Sequence, residues 1–170
     1  MLEISLAGSE YWPVGIDWDL LARRSVEAAF AQTAFGELRS KPVIAEISIK
    51  LSNDTEVQKL NAAYRQKDKP TNVLSFPMVQ QDLLETLDLG DDGEVLLGDI
   101  ILAQETCKRE ADEKGVTFSD HASHLIIHGT LHLLGYDHII EFEAEEMEAI
   151  EVRALGALGI QNPYADSTGG

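Results

Sequence analysis

The residues of this chain best suited to chemistry are three histidines, His128, His132 and His138, spaced H-x3-H-x2-G-x2-H. If the segment is helical, His128 and His132 lie one turn apart on the same face, close enough to share an ion. Gly135 can adopt the positive φ that ends a helix, so the chain can turn back and bring His138 to the same ion. Three neutral imidazoles suit Zn²⁺ and leave its fourth tetrahedral position open, as in a catalytic zinc site. The pattern therefore predicts one Zn²⁺ per chain.

The same spacing of metal ligands occurs in the metzincin proteases, but those enzymes need a glutamate after the first histidine as general base. In this chain the corresponding position is Gly129. A carboxylate from elsewhere, such as Asp99 or Glu94, could in principle replace it. A metzincin-like metallopeptidase therefore stays as an alternative, although the sequence disfavours it.

Other polar side chains lie on or beside the same predicted helix. His124 and His132 are eight residues apart, or about 12 Å along a helix axis, so both cannot readily bind one ion with His128 between them. We therefore predict that His124 is a cleft residue, or orients a ligand, rather than binding the metal itself. Asp137 either accepts the N–H of a ligating histidine or holds the turn after the helix, and these alternatives stay open. We expect His121, in the first turn, to be a solvated surface residue.

A second unusual stretch carries three cations at alternate positions, Arg65, Lys67 and Lys69, in a polar segment that ends in Pro70. On charge alone a solvated loop is the simpler interpretation. Arg65 stands out because guanidinium is a fixed, bidentate partner for phosphate oxygens. We therefore predict that Arg65 contacts phosphate rather than forming a structural ion pair.

Charge is strongly segregated along the chain. The net charge of -17 over 170 residues argues, taken globally, against a nucleic-acid partner. However, residues 82–94 and 141–151 each carry six acidic residues, whereas five of the 13 basic residues lie between Lys50 and Lys69. A local positive surface is therefore compatible with an acidic protein.

Length and composition predict one globular domain spanning residues 1–170, with 44% hydrophobic residues to form its core. The N-terminus lacks the pattern of a secretory signal, and no apolar run approaches the roughly 18 residues of a membrane span. Cys107 is the single cysteine, which excludes an internal disulfide and fits a reducing compartment. We therefore expect a cytoplasmic protein with neither a membrane nor a disulfide partner.

The elements that must position these residues follow from periodicity, caps and breakers. Alternating or continuous apolar residues predict four strands, at 2–6, 43–51, 72–76 and 94–103. Helical spacing predicts five helices, at 17–35, from 53 or 54 to about 65, 104–114, from a cap at Ser119 or Asp120 to 134, and 141 to about 155. Residues 79–93 are predicted to form an exposed loop or hairpin, and the tail after about residue 162 is predicted to fray.

Three motifs in a fixed order give the chain a family resemblance. They are K-D-K-P-T-N-V-L-S-F-P from Lys67, L-G-D-I-I-L-A from Leu97 and H-G-T-L-H-L-L-G-Y-D-H from His128. Together they resemble the YbeY family of metal-dependent endoribonucleases, which act in ribosomal RNA maturation. The resemblance covers roughly residues 44–163 and includes an acidic helix with Met147 after the last histidine.

The resemblance implies a fold and a set of residue roles. The fold would be α/β (α+β), a single domain with a small mixed sheet of about four strands surrounded by helices and the metal in a cleft on a central helix. The activity would be zinc-dependent, single-strand-specific endoribonuclease cleavage, notably at the 3′ end of 16S rRNA, with a part in ribosome quality control. The partners would be rRNA and ribosomal proteins or the small ribosomal subunit. The matching positions are His128, His132 and His138 as zinc ligands and Arg65 in RNA cleavage. From the clustering of positive charge, and apart from the resemblance, we predict that Lys67 and Lys69 bind RNA.

Two questions stay open in the sequence. The attacking group could be an activated water or the 2′-OH of the RNA itself. The protein could also be a non-catalytic ribosome-assembly factor with a structural zinc, although such a zinc usually has four protein ligands.

Overall fold

A four-stranded mixed sheet lies at the centre of the computed structural model, which describes residues 1–79, 93–136 and 141–164. The strands are β1 (Leu2–Ala7), β2 (Ile44–Ser52), β3 (Val73–Pro77) and β4 (Glu94–Ala103), in the spatial order β1-β2-β4-β3. β1 and β4 both run parallel to β2, whereas the edge strand β3 runs antiparallel to β4. The predicted loop or hairpin at 79–93 lies almost entirely outside the described residues.

Five α-helices accompany this sheet in the described parts of the chain. They are α1 (Trp18–Ala31), α2 (Asp54–Arg65), α3 (Gln104–Lys114), α4 (Phe118–Leu133) and α5 (Glu141–Ala157). Short 3-10 helices occur at Ser9–Tyr11 and Gly36–Arg39. The predicted α/β fold with about four strands is thereby confirmed. None of the described helices is both long and apolar enough to cross a bilayer.

The alternation of β2 determines which face of the sheet is covered. Ala45, Ile47, Ile49 and Leu51 are all buried, as their spacing predicts, while Lys50 between them is exposed. The buried side chains pack in the main core with residues of α1 and α4. α2 covers part of the opposite face, where Val57 packs with residues of β3 and β4.

α4 is the central helix. It is apolar on most of its circumference, and other elements cover it from two sides. Ile126 and Leu133 belong to the core against the sheet, whereas Ile127 and Leu131 pack in a second core with α1 and α5. All four side chains are at most 1% exposed. A helix surrounded in this way is held rigidly, so the histidines on its remaining face are well positioned.

Gly129 lets α4 approach the sheet closely. A Cβ at this position would lie 3.0 Å from Cγ2 of Ile100 in β4, closer than side chains normally pack. The residue that distinguishes this helix from the metzincin pattern therefore faces the sheet. Because the helix lies so near the sheet, it also contacts the edge strand β3.

Two predicted helix ends differ from the structure. α1 stops at Ala31 instead of Phe35 because Thr33 donates a hydrogen bond to the carbonyl of Phe30 and accepts one from the N–H of Phe35, forming a turn. The N-cap of α4 is Thr117, whose hydroxyl accepts from the N–H of Asp120 at 3.1 Å, and not Ser119 or Asp120 as predicted. Both differences involve hydroxyl side chains that bond to nearby backbone.

Candidate functional site

His128 and His132 form a pair at the C-terminal half of α4. Their Nε2 atoms lie 3.0 Å apart and their ring centroids 4.5 Å apart. Nδ1 of His132 lies 3.0 Å from the carbonyl oxygen of Tyr136, which can only accept, so this nitrogen carries the proton. Nδ1 of His128 lies 3.0 Å from Oε1 of Glu151 and likewise donates to an acceptor. With Nδ1 protonated in both neutral rings, the two Nε2 atoms that lie 3.0 Å apart are the nitrogens with lone pairs.

This donor arrangement fits Zn²⁺. A tetrahedral site with Zn–N bonds of about 2.0–2.1 Å separates two ligand nitrogens by about 3.3 Å, close to the spacing of this pair. Metal-binding histidines usually donate their other N–H to a carboxylate or a carbonyl, and His128 and His132 do one each. Among the described residues no group of three His, Cys, Asp or Glu side chains converges as a metal site. The predicted third ligand, His138, and Asp137 beside it lie outside the described residues.

Gly135 directs the chain after α4. Its φ is 95°, the positive value that the sequence predicts, and the N–H of Tyr136 bonds to the carbonyl of Leu131. The turn places the Tyr136 carbonyl against His132. The glycine thus orients one of the paired imidazoles through the backbone that follows it.

Glu151 is the residue that sequence reasoning missed. Its side chain is 1% exposed, and Oε1 accepts hydrogen bonds from His128 Nδ1 and His124 Nε2, both at 3.0 Å. Burial by itself raises the pKa of this carboxyl, but the hydrogen bonds from the two histidines outweigh it and lower the pKa to about 2. Glu151 is therefore an ionised carboxylate inside the protein, directly behind the histidine pair.

A signal for Glu151 exists in the sequence. Met147, Ile150, Ala154 and Leu155 are buried at helical spacing in α5, and Glu151 falls on the same stripe. An acid on an apolar stripe requires a buried partner, since an unpaired charge inside a protein costs free energy. Counted only as one of the six acidic residues of 141–151, Glu151 does not stand out.

His124 and Tyr164 complete the network around this carboxylate. His124 is 6% exposed and lies behind the pair instead of beside it, with its Nε2 bonded to Glu151. The Tyr164 hydroxyl donates to Oε2 of Glu151 at 3.0 Å and lies 3.2 Å from His124 Nε2. Burial, followed by the charge of Glu151, raises the pKa of Tyr164, so the hydroxyl keeps its proton. The chain just beyond residue 162, predicted to begin fraying, is thus held against α5 as far as Tyr164.

The prediction for His121 is wrong. Its side chain is 2% exposed, and Nε2 lies 2.8 Å from Oε1 of Glu110 in α3. The first turn of α4 is covered by α3, which the helical pattern of α4 alone does not reveal. Cys107 in α3 is likewise buried, and burial followed by the charge of Glu110 raises the pKa of its thiol to about 12.

A cleft of about 830 Å³ opens in front of the histidine pair. Arg65, Lys67 and Lys69 line it together with His128 and His132, so the two stretches that the sequence singled out meet in space. Its other described lining residues come from α2, the segment 71–77 and the turn at 135–136, and none of them is Asp or Glu. On a chain with a net charge of -17, this cleft is thus a local cationic surface.

Arg65 is held in place at the end of α2. Its Nη2 donates to the carbonyl oxygen of Ser75 at 2.6 Å, and its guanidinium carbon lies 5.6 Å from the centroid of the Phe76 ring. In the described parts of the chain Arg65 takes part in no ion pair. The guanidinium is therefore anchored by its edge and its face while its charge borders the cleft.

Asn61 supports the segment that carries the two lysines. Its buried side-chain amide donates to the carbonyl of Lys69 at 2.9 Å, and its backbone carbonyl accepts from the N–H of Lys67 at 3.2 Å. Lys50 and Lys59, the other two basic residues between Lys50 and Lys69, lie elsewhere. Lys50 pairs with Glu56 at 2.9 Å, and Lys59 lines a separate depression with Glu56 and Glu105. The cationic cleft thus contains three of the five basic residues between Lys50 and Lys69.

Comparison with known proteins identifies the family. Residues 17–159 match the sequence model of the family described as Endoribonuclease YbeY. The chain is 55% identical over 166 residues to the Endoribonuclease YbeY of Sphingopyxis alaskensis, covering 98% of this chain and 99% of that protein. It is 58% identical over 165 residues to the protein of the same name from Rhizorhabdus wittichii, with 97% and 98% covered.

A solved structure is similar in fold. The solution structure of TM1509 from Thermotoga maritima aligns with a TM-score of 0.53 at 22% sequence identity and covers 99% of both chains. At this level of identity the likeness concerns the fold alone. The match over residues 17–159 and the identity to the curated relatives show the family. The chain belongs to the YbeY endoribonuclease family.

Proposed function

We propose that this protein is a zinc-dependent endoribonuclease that cleaves single-stranded RNA in ribosomal RNA maturation, notably at the 3′ end of 16S rRNA. The observation that carries the proposal is the position of the histidine pair at a cleft lined by three cations and by no described acid. A polyanion is the ligand that such a surface favours on an otherwise acidic chain. The family assignment supports RNA as that polyanion.

Each part of the cleft has a role in this proposal. His128, His132 and His138 would hold Zn²⁺, which supplies Lewis acidity toward oxygen atoms of the substrate. Arg65, anchored by the Ser75 carbonyl, offsets negative charge that develops on the phosphate oxygens. Lys67 and Lys69 hold neighbouring phosphates as point charges. Either water or the 2′-OH of the RNA can attack in this arrangement.

Peptide hydrolysis fits the cleft less well. The position of the metzincin glutamate is Gly129, where a Cβ would already crowd Ile100, so the helix faces the sheet there. Asp99 and Glu94, the other carboxylates considered, are not among the described residues that line the cleft. A general base for peptide cleavage would therefore have to come from another part of the chain.

A purely structural zinc also fits less well. Structural zinc sites are closed by four protein ligands, whereas this histidine pair borders a cleft of about 830 Å³. The side chain of His128 is 26% exposed. An ion held there would face the cleft and whatever the cleft binds.

The proposal is tested by cleavage of one labelled RNA sequence, either single-stranded or annealed to its complement. We expect cleavage of the single strand only, and at least a tenfold loss in Arg65→Lys, because lysine keeps the charge but loses the bidentate fork. Lys114→Arg, at the end of α3, is the matched control for a basic exchange away from the cleft. Equal cleavage by wild type and Arg65→Lys, with unchanged melting temperatures, would remove Arg65 from the mechanism.

We also propose that the protein meets its RNA on the small ribosomal subunit, where it would serve rRNA processing and ribosome quality control. Glu143, Glu145 and Glu146 are exposed on α5 and give this face a negative charge suited to basic ribosomal proteins. Docking there would raise the effective concentration of rRNA at the cleft. Cleavage of ribosome-bound RNA should then exceed cleavage of the same RNA stripped of protein, and changing the three glutamates to glutamine should abolish that difference. Equal rates on both substrates would refute docking.

A further inference from the structure

An aromatic patch lies at the rim of the cationic cleft and has no part in the roles assigned so far. It consists of the rings of Tyr64 and Phe76, with Met78 two residues beyond Phe76 in the chain. From its position and exposure we infer that it is a stacking site for an unpaired nucleobase of the RNA strand whose phosphates occupy the cleft. The inference rests on the proposed function and names how the substrate strand is held beside the reacting phosphate.

The geometry of the patch suits a flat ligand. The rings of Tyr64 and Phe76 meet edge to face, with centroids 5.6 Å apart and an interplanar angle of 70°. Tyr64 is 70% exposed and Met78 is 60% exposed, although both are large and apolar. A single exposed apolar residue needs no explanation, but here the exposed Tyr64 ring packs against a half-buried phenylalanine of the edge strand, and exposed Met78 follows two residues later in the chain.

The patch is joined directly to the cleft through Arg65. Tyr64 precedes Arg65 at the end of α2, and the guanidinium of Arg65 lies 5.6 Å from the ring centroid of Phe76. Nη2 of the same guanidinium donates to the carbonyl of Ser75, and Ser75 lines the cleft. A phosphate beside Arg65 would therefore have its attached base within reach of the Tyr64 ring.

The charge of the protein explains why such a contact is useful. At -17 the chain repels polyanions at long range, and phosphate contacts weaken as salt rises. Stacking of a base on an aromatic ring contributes about 1–3 kcal/mol and tolerates any base, because every base has a π-face. It also needs an unpaired base. The patch would thus add binding free energy that depends little on salt. This contribution would be available to a single strand but not to a duplex.

The test is binding of a 2′-O-methyl RNA oligonucleotide to zinc-loaded protein, measured by fluorescence anisotropy at two salt concentrations. Tyr64→Ala should raise Kd about 5- to 150-fold, the range that corresponds to the stacking free energy. Tyr64→Phe keeps the ring and should bind nearly as wild type does, whereas Tyr64→Leu should lose most of the affinity. Tyr11→Ala is the matched control, because Tyr11 is 79% exposed and is not among the cleft residues.

An oligonucleotide with the same sugar-phosphate backbone and abasic positions separates stacking from charge. Wild type and Tyr64→Ala should bind it equally weakly. An unchanged Kd of Tyr64→Ala for the base-containing strand would overturn the stacking site, and so would an equal loss on the abasic strand. Cleavage is measured separately on unmodified RNA, so a wild-type protein that binds by stacking but does not cleave would contradict the proposed function and leave this inference standing.

Discussion

Replacement of Glu151 tests whether a buried charge behind the histidine pair controls the affinity for zinc. Glu151→Ala removes one oxygen that accepts from both His128 and His124 and another that accepts from Tyr164, all at 3.0 Å. Hydrogen bonds to a charged group contribute about 1.5–3 kcal/mol each, although removing a buried charge also removes its desolvation cost. We expect the metal-free protein to lose about 2–4 kcal/mol of unfolding free energy, the range of a broken buried network.

The effect on zinc follows from the orientation of His128. Loss of an outer partner of a metal-binding histidine usually costs about 10- to 100-fold in affinity, and Glu151→Ala should lie at the upper end. Glu151→Gln keeps a carbonyl oxygen that both histidines can reach and turns its amide toward the Tyr164 hydroxyl, which can accept. It loses the charge but not the geometry, so we expect about a tenfold loss and a melting temperature near wild type.

The assay is competition for Zn²⁺ with a chromophoric chelator, combined with calorimetry of the metal-free proteins. Glu145→Gln is the matched control, because it makes the same charge change at an exposed position of the same helix. We expect this control variant to bind zinc with wild-type affinity. Wild-type zinc affinity in Glu151→Ala would refute the claim that the carboxylate orients His128.

Three further predictions concern residues around the site. His121→Ala should leave zinc content unchanged but lower the unfolding free energy by about 1–3 kcal/mol, because it removes a buried partner of Glu110, as metal analysis and denaturant titration would measure. Gly129→Ala should cost about 1–3 kcal/mol by crowding Ile100, and the loss should be smaller in an Ile100→Ala background, which a double-mutant cycle would reveal. Burial by itself raises the pKa of Glu110, but hydrogen bonds from His121 and Asn72 lower it below the usual value. Its stabilising contribution is therefore present above the unfolded pKa and lost as pH falls through the folded pKa, so wild type should lose more stability than Glu110→Gln between about pH 5 and pH 3 in calorimetric scans.

Local patterns determined the elements that carry the site. Helix caps and apolar runs are short-range signals, and α2, α3 and β4 have the predicted bounds, with Asn53 capping α2 and Gly115 ending α3. The one-turn spacing of His128 and His132 is likewise a property of any helix. Arg65 comes near the two histidines because the chain passes from α2 into the edge strand β3. The order of the motifs alone does not give the distance between Arg65 and the histidines.

The environment of the histidines could not be predicted from the same patterns. The sequence predicts His121 at the surface and His124 in the cleft or orienting a ligand, yet each is buried against a carboxylate from a different helix. These pairs join residues 11 and 27 positions apart, and only the packing of α3 and α5 on α4 brings them together. Glu151 was predictable in kind, as an acid on an apolar stripe, but its partners were not. Contacts between helices therefore determined the burial and the hydrogen-bond partner of each of these polar groups.

The most direct test of the account is titration of metal-stripped protein with Zn²⁺ while cleavage of a single-stranded RNA is measured. We expect the stripped protein to be inactive. Its activity should rise linearly to one Zn²⁺ per chain and then stay constant, whereas His132→Ala should neither bind the ion nor regain activity. Thermal unfolding of the stripped and reloaded proteins separates loss of the ion from loss of the fold. Full cleavage by stripped protein, or equal recovery of His132→Ala and wild type, would contradict it.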